Sequence, residues 1–203
     1  DLASKYDLKV YNGLLEFDGF HNILNWGEEV TDSYIKKYEN GKYLMQTLSP
    51  THFGTGRPTG LNTKDIYLSV EVQSAYPLNE GDYAGILCGI ENDTWYGFII
   101  GSDSARIVKQ TIDGQEDISV ISDLANYSSV ISSLNNESGS VRIGLVCNAN
   151  YFLGTINEVV IVEGKDENNQ FRSRQGIGLV VGSTANNLVK FYFDNLSVQV
   201  KSP

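Results

Sequence analysis

The stretch DIYLSVEVQS, residues 65–74, decides the fold class. In an extended chain Ile66, Leu68, Val70 and Val72 point one way, and Tyr67, Ser69, Glu71 and Gln73 the other. A period of two is the mark of a strand with one face in a core. Outward from it the signal recurs in LLEFDGF, YAGILCGI, WYGFII, ARIVKQTI, ISVI, VRIGLVC, YFLGTI, EVVIVEG, GIGLVVGS and FYFDNLSVQV. Gly, Asn, Asp and Ser separate these runs at short intervals. In YIKKYENGKYLMQ, Asn40-Gly41 is a strong hairpin signal. A two-residue turn there sets Tyr38 against Tyr43 and Glu39 against Lys42, both favourable cross-strand pairs. GTGRPTG (54–60) reads as a flexible loop, without the Gly-Lys-Ser/Thr ending of a phosphate loop. LANYSSVISSL (124–134) is open between a helical turn and a short strand. No linker or fixed-period repeat divides the chain. The expectation is one all-β domain of two antiparallel sheets packed face to face.

At 203 residues the chain is long enough to bury a sizeable core without help from a metal or an oligomer. Apolar residues at 41% and charged residues at 20% describe a globular protein. The formal charge of −10, from 25 acidic and 15 basic side chains, repels phosphate backbones, and no Lys/Arg cluster offsets it. Nucleic acid is therefore not an expected partner. The acidic excess keeps the chain soluble or, on the sharper reading, attracts calcium. No run of 18 apolar residues is present, so no membrane-spanning helix is expected.

Cys88 in GILCGI and Cys147 in IGLVCNAN each sit late in an apolar strand-like run. Neighbouring strands can bring them together, and few lysines with Asn/Ser/Gly-rich loops favour a disulfide in a secreted or cell-surface protein. The alternative is a pair of buried free thiols.

Four stretches carry a resemblance: FDGF followed by NWGEE; YENGKYLMQ; GILCGIENDTWYGFIIGSDSARIVKQ; and GIGLVVGS followed by VKFYFDNLSVQV. In order and spacing they resemble a family of secreted bacterial β-jelly-roll modules with the concanavalin A-like or laminin-G-like fold. One departure is Asn157-Glu158, where the family usually has an Asn-Gly hairpin. The resemblance begins at residue 17, so residues 1–16 are expected to be an N-terminal extension strand and 17–203 a single jelly-roll sandwich. It implies a non-catalytic module of the kind that binds carbohydrate or mediates adhesion. It also implies a structural calcium ion held by a last-strand carboxylate and acids near the first strand, here Asp194 with Asp18 and Glu16 or a backbone carbonyl. The competing reading of Asp194-Asn195 is a β-bulge or a local cap.

Aromatic rings stack on the C–H faces of sugars, and neighbouring polar groups take the hydroxyls. Trp95 and Tyr96 follow the polar loop Glu91-Asn92-Asp93-Thr94, and Trp26 lies in a similar Asn/Gly context. The candidate ligand-binding set is Trp95, Tyr96, Trp26 and Asp93. Adjacent strand residues face opposite ways, so only one of Trp95 and Tyr96 is expected in the core. His21 and His52 are far apart with no cysteine ligand near, which argues against zinc. Glycoside hydrolysis needs two flanking carboxyls. Glu28-Glu29 would diverge on a strand, and Glu116-Asp117 and Asp166-Glu167 fall in turn-rich stretches. No catalytic residues are assigned. The expected function is an extracellular, non-catalytic carbohydrate- or ligand-binding module. Behind it stand a self-assembling filament or surface-layer subunit, a homo-oligomer built by donating the segment ASKYDLKVYNG, and then a polysaccharide-active enzyme on the same fold.

Overall fold

The alternation read in residues 65–74 is a ten-residue strand, Asp65–Ser74, at the middle of a two-sheet sandwich. The computed structural model describes residues 13–16, 26–50, 53–58, 65–91, 94–121, 124–135, 139–168 and 176–200. They form β1 (Gly13–Glu16), β2 (Glu29–Val30), β3 (Tyr34–Glu39), β4 (Lys42–Thr47), β5 (Phe53–Pro58), β6 (Asp65–Ser74), β7 (Asp82–Glu91) and β8 (Thr94–Gly101). Then come β9 (Ala105–Thr111), β10 (Gly114–Ile121), helix α1 (Leu124–Leu134), β11 (Val141–Asn148), β12 (Tyr151–Ile156), β13 (Val159–Lys165), β14 (Gly176–Ser183) and β15 (Lys190–Val200). One sheet runs β13-β12-β11-β6-β15-β4-β3-β2, with β1 also paired to β15; the other runs β10-β9-β8-β7-β14-β5. All described pairings are antiparallel. The all-β, two-sheet sandwich is thus the observed architecture.

The Asn40-Gly41 hairpin forms with Tyr38 opposite Tyr43 and Glu39 opposite Lys42. Both turn residues have positive φ, 52° and 80°, as a type I′ turn requires. Asn157-Glu158 makes the same shape at φ 49° and 67° without a glycine. The side chain of Asn157 assists, its Oδ1 accepting from the Arg142 backbone N–H at 3.1 Å.

β15 answers the question raised by Asp194-Asn195. Residues 190–193 pair with β4, and residues 197–200 pair with β1 on that same side of the strand. The register against β6 shifts between Asp194 and Ser197. Asn195 is the bulged residue, at φ +51°, and its N–H donates to Asp194 Oδ1 at 2.8 Å. The extra residue moves the inward phase from Phe191 and Phe193 to Leu196 and Val198, all buried. The bulge is the joint at which β15 changes partner.

Two sequence expectations need correction. GTGRPTG is not simply a loop, because its first five residues lie in β5, whose Gly54 and Gly56 pair with Val180 and Gly178 of β14. Neighbouring backbone overrides weak local propensity, and Pro58 is tolerated at the end of an edge strand. Glu116 and Asp117 lie in β10, not in a turn. Gly13–Glu16, the described part of the expected N-terminal extension strand, pairs with β15 of its own chain. Residues 1–12 lie outside the described residues. The open segment 124–134 is a helix, and Val130 and Leu134, four apart on one face, enter the core. It packs against β6 and β11 and closes one end of the sandwich.

The core lies between the sheets and includes Tyr43, Met45, Phe98, Phe152, Phe191 and Phe193. Each sheet also carries a small apolar cluster on its outer face. On the six-stranded sheet it is Tyr83, Leu87, Ile99, Val108 and Val180, with Ile90 and Trp95 packed against it. On the nine-stranded sheet it is Val146 and Leu153, with Tyr67, Tyr151 and Val160 beside them.

Candidate functional site

One end of the sandwich is joined by three side-chain contacts in a row. In the six-stranded sheet Cys88, Tyr96, Lys109 and Glu116 are cross-strand neighbours on β7, β8, β9 and β10. In the facing sheet Cys147 of β11 is paired with Phe152 of β12. Cys88 and Cys147 form a disulfide, the expected alternative to free thiols, with their Cα atoms 6.8 Å apart. Tyr96 stacks on Phe152, ring centroids 4.4 Å apart at 15°. Lys109 Nζ lies 2.9 Å from Asp166 Oδ2, just past the end of β13.

The ionic contact is a closed network. Tyr96 O–H donates to Asp166 Oδ2 at 2.7 Å, and the Asn168 backbone N–H donates to Oδ1 at 3.0 Å. Lys109 also reaches the exposed Glu116 at 3.3 Å. Lys109 and Asp166 are both buried, 3% and 6% exposed, so each charge needs its partner. Burial pushes the Asp166 carboxyl upward, yet the hydrogen bonds from Tyr96, Lys109 and Asn168 and the lysine charge outweigh it and hold the group below the usual aspartate value. Burial pulls Lys109 down, but its bonds to Asp166 and Glu116 carry it above the usual lysine value. Both shifts favour the ion pair. Lys109 shares the inward phase of Ala105 and Ile107, a visible signal that a buried lysine needed an acid. Which acid was not visible, because Asp166 arrives from the other sheet.

This row positions the outward neighbours of its members. Tyr96 is fully buried, so Trp95 is the member of the pair on the outer face, where it is partly exposed. A β-bulge after Cys88, with Gly89 at φ +64°, turns Ile90 to the same outer cluster. Gly97, two residues beyond Trp95 on the same face, explains the ring's attitude. A Cβ built on Gly97 would lie 3.1 Å from Trp95 Cζ3 and 2.8 Å from Leu87 Cδ2. The indole therefore lies along its own strand over the glycine instead of standing off the sheet. Gln110 is its cross-strand neighbour; further along the same face Arg106 stands opposite Ile99 and Asp117 opposite Val108, their charged groups 3.7 Å apart.

The other expected site residues are placed differently. Trp26 is 6% exposed and belongs to the core, with Tyr43 at 6.1 Å. Its backbone N–H donates to Tyr38 Oη at 3.1 Å, and Tyr43 O–H donates to its backbone carbonyl at 3.1 Å. A ring so enclosed has no face for a sugar. Asp93 and Asp18 lie outside the described residues. Asp194 is partly exposed beside Glu71 in register, and Glu71 lies 3.7 Å from Arg142. Among the described residues no group of three His, Cys, Asp or Glu side chains is arranged to hold a metal ion. Nor is any helix among them long and apolar enough to cross a membrane.

The chain matches no family model and no curated protein in sequence. Its fold is similar to that of solved structures. Carbohydrate-binding module CBM66 from Bacillus subtilis superposes with a TM-score of 0.51 at 9% identity, covering 92% of this chain and 95% of that one. The binding domain of botulinum neurotoxin DC, solved with rat synaptotagmin II, gives 0.60 at 10% identity over 96% and 49%. A botulinum neurotoxin type C structure, whose subject is cell entry through two ganglioside molecules, gives 0.58 at 11% over 97% and 50%. The chain thus spans about half the length of the toxin chains it matches. At these identities the likeness establishes the two-sheet sandwich and nothing finer.

Proposed function

We propose that this protein is a non-catalytic, extracellular binding module whose ligand is carbohydrate and whose principal contact is Trp95. The observation that carries the reading is the indole laid over Gly97 on the outer sheet face, partly exposed, with the polar Gln110 as its cross-strand neighbour and Asp117 and Arg106 further along the same face. A flat ring with hydrogen-bonding neighbours suits the C–H face and hydroxyls of a sugar. The likeness to a carbohydrate-binding module over nearly the full length of both chains supports the class of ligand, and the disulfide suits an oxidising compartment. The test is native affinity electrophoresis through a panel of polysaccharides. At least one polymer retards the wild-type protein, and Trp95→Ala is retarded at least several-fold less there while its strand content in far-UV circular dichroism is unchanged. Retardation of Trp95→Ala equal to wild type would remove the residue from the site.

Calcium belongs to this proposal as a structural ion using Asp194 and Asp18. The support is the carboxylate at the joint of β15, where Glu71 is its register neighbour. A melting temperature higher in calcium than in chelator, with the difference reduced in Asp194→Ala, is the expected result. Identical melting in both buffers leaves Asp194 as a bulge residue alone.

A further inference from the structure

The nine-stranded sheet carries a second ring laid over a glycine, and we propose that Tyr67 and Tyr151 form a second, independent stacking surface for a neutral polysaccharide. The inference rests on the reading of the Trp95 face as a carbohydrate site and extends it from one binding face to two.

Tyr67 of β6 points outward, since its neighbours Ile66 and Leu68 are in the core. Its cross-strand partner on β11 is Val146, and Gly144 stands two residues along on the same face. A Cβ built on Gly144 would meet Tyr67 Oη at 2.8 Å and Cε2 at 2.9 Å. The ring therefore leans diagonally across β11 and lies along the sheet. Tyr151 of β12 occupies the same outer face, and its O–H donates to Glu163 Oε2 at 2.8 Å. Both tyrosines are partly exposed, while Val146 and Leu153 beside them are buried. Hydrogen-bonding groups border the rings: Arg142 Nη2 donates to Ser69 Oγ at 2.8 Å, and Glu71 lies beyond it. Apolar ring faces edged by a guanidinium, carboxylates and a hydroxyl match the alternation of C–H faces and hydroxyls in a sugar chain. Charge selects the class. Glu71 and Glu163 on this face are matched by Arg142 and Lys165, the cross-strand partners of Glu71 and Tyr151, so the face offers no excess of positive charge to a polyanion, and the chain's net −10 favours neutral polymers over polyanions.

The two surfaces are coupled by position. Trp95 and Tyr96 are adjacent, as are Phe152 and Tyr151, and Tyr96 stacks on Phe152 in the core. The chain order at this point is ring outside, ring inside, ring inside, ring outside, across sheets about 10 Å apart. The outer rings face opposite directions, so one extended polymer cannot lie on both. The protein would bridge two chains.

The experiment takes a neutral polysaccharide that retards the wild-type protein and measures cross-linking by turbidity and viscosity, beside affinity electrophoresis. Wild type is expected to cross-link the polymer. The double variant Tyr67→Ala/Tyr151→Ala keeps its retardation through Trp95 but loses cross-linking, and its apparent affinity for dense polymer falls about tenfold or more as two-site avidity is lost. Should the double variant fail to fold, Tyr151→Ala alone carries the same prediction with a smaller loss. Retardation of wild type without cross-linking overturns the second surface and leaves the first. Cross-linking by the double variant equal to wild type also overturns it, as does retardation only by polygalacturonate. If no polymer retards the wild type, both readings fall, and the missing wild-type shift marks that case apart from the others.

Discussion

The two ends of the sandwich are closed in different ways. At the end that carries Trp95, side chains join sheet to sheet directly: a disulfide, a stacked ring pair and a buried ion pair stand on neighbouring strands. At the other end, loops and α1 close the core. There Asp82 Oδ2 accepts from the Asn79 N–H at 2.8 Å, and Oδ1 accepts from Asn187 Nδ2 at 3.0 Å. Val130 and Leu134 of α1 seal the apolar residues behind. A loop-closed end tolerates local adjustment, whereas direct links between sheets hold strand against strand. The binding rings proposed here lie back to back with the direct links, where their backbone is held most firmly.

That contrast can be broken most severely at the disulfide. Cys88→Ala with Cys147→Ala opens a loop of 59 residues, and the loss expected from chain entropy is about 4 kcal/mol in urea unfolding. A loss below about 1 kcal/mol would show that the stack and ion pair suffice to hold this end.

Lys109→Met should rank next, since it strands a buried carboxylate, at about 3 kcal/mol. The pH dependence follows from the two shifts. Asp166 lies below its unfolded value in the folded protein, so its contribution is full above about pH 4 and drains as pH falls through the folded pKa. Lys109 lies above its unfolded value, so its contribution is full below about pH 10 and drains as pH rises through its folded pKa. Thermal unfolding of Lys109→Met should therefore lose less stability than wild type between pH 4 and pH 2. Equal acid slopes would detach Asp166 from the lysine.

The smallest effect is expected at the far end. Asp82→Asn keeps one acceptor oxygen and the side-chain volume, and costs about 1 kcal/mol. A loss as large as that of Lys109→Met would erase the distinction between the two ends.

The hairpin at Asn40-Gly41 was legible because its turn chemistry and cross-strand pairs are local. Strand alternation exposed the core face of β6; in β9 the same period sets Lys109 in phase with Ala105 and Ile107, a signal present in the sequence but not taken up. The partner of that lysine was not legible, since sheet pairing across the sandwich, not sequence spacing, delivers Asp166. β5 was read as a loop because its glycines have poor strand propensity and only β14 makes them a strand. Trp95 was separable from Tyr96 by period two. The flat attitude of its ring depends on Gly97, a residue that sequence reading leaves as one glycine among 20. Tyr67 over Gly144 was missed for the same reason, its glycine standing on another strand.

A sugar received on the face of Trp95 must change the surroundings of its indole. The chain has two tryptophans, and Trp26 is enclosed in the core, so a ligand-induced change in tryptophan emission reports on Trp95. Emission should shift to shorter wavelength as a retarding polysaccharide is titrated in, with the same midpoint as the retardation. In Gly97→Ala the new methyl displaces the ring, and the shift should vanish while the fold persists. An emission spectrum that stays constant across concentrations that retard the wild-type protein would place the sugar away from Trp95.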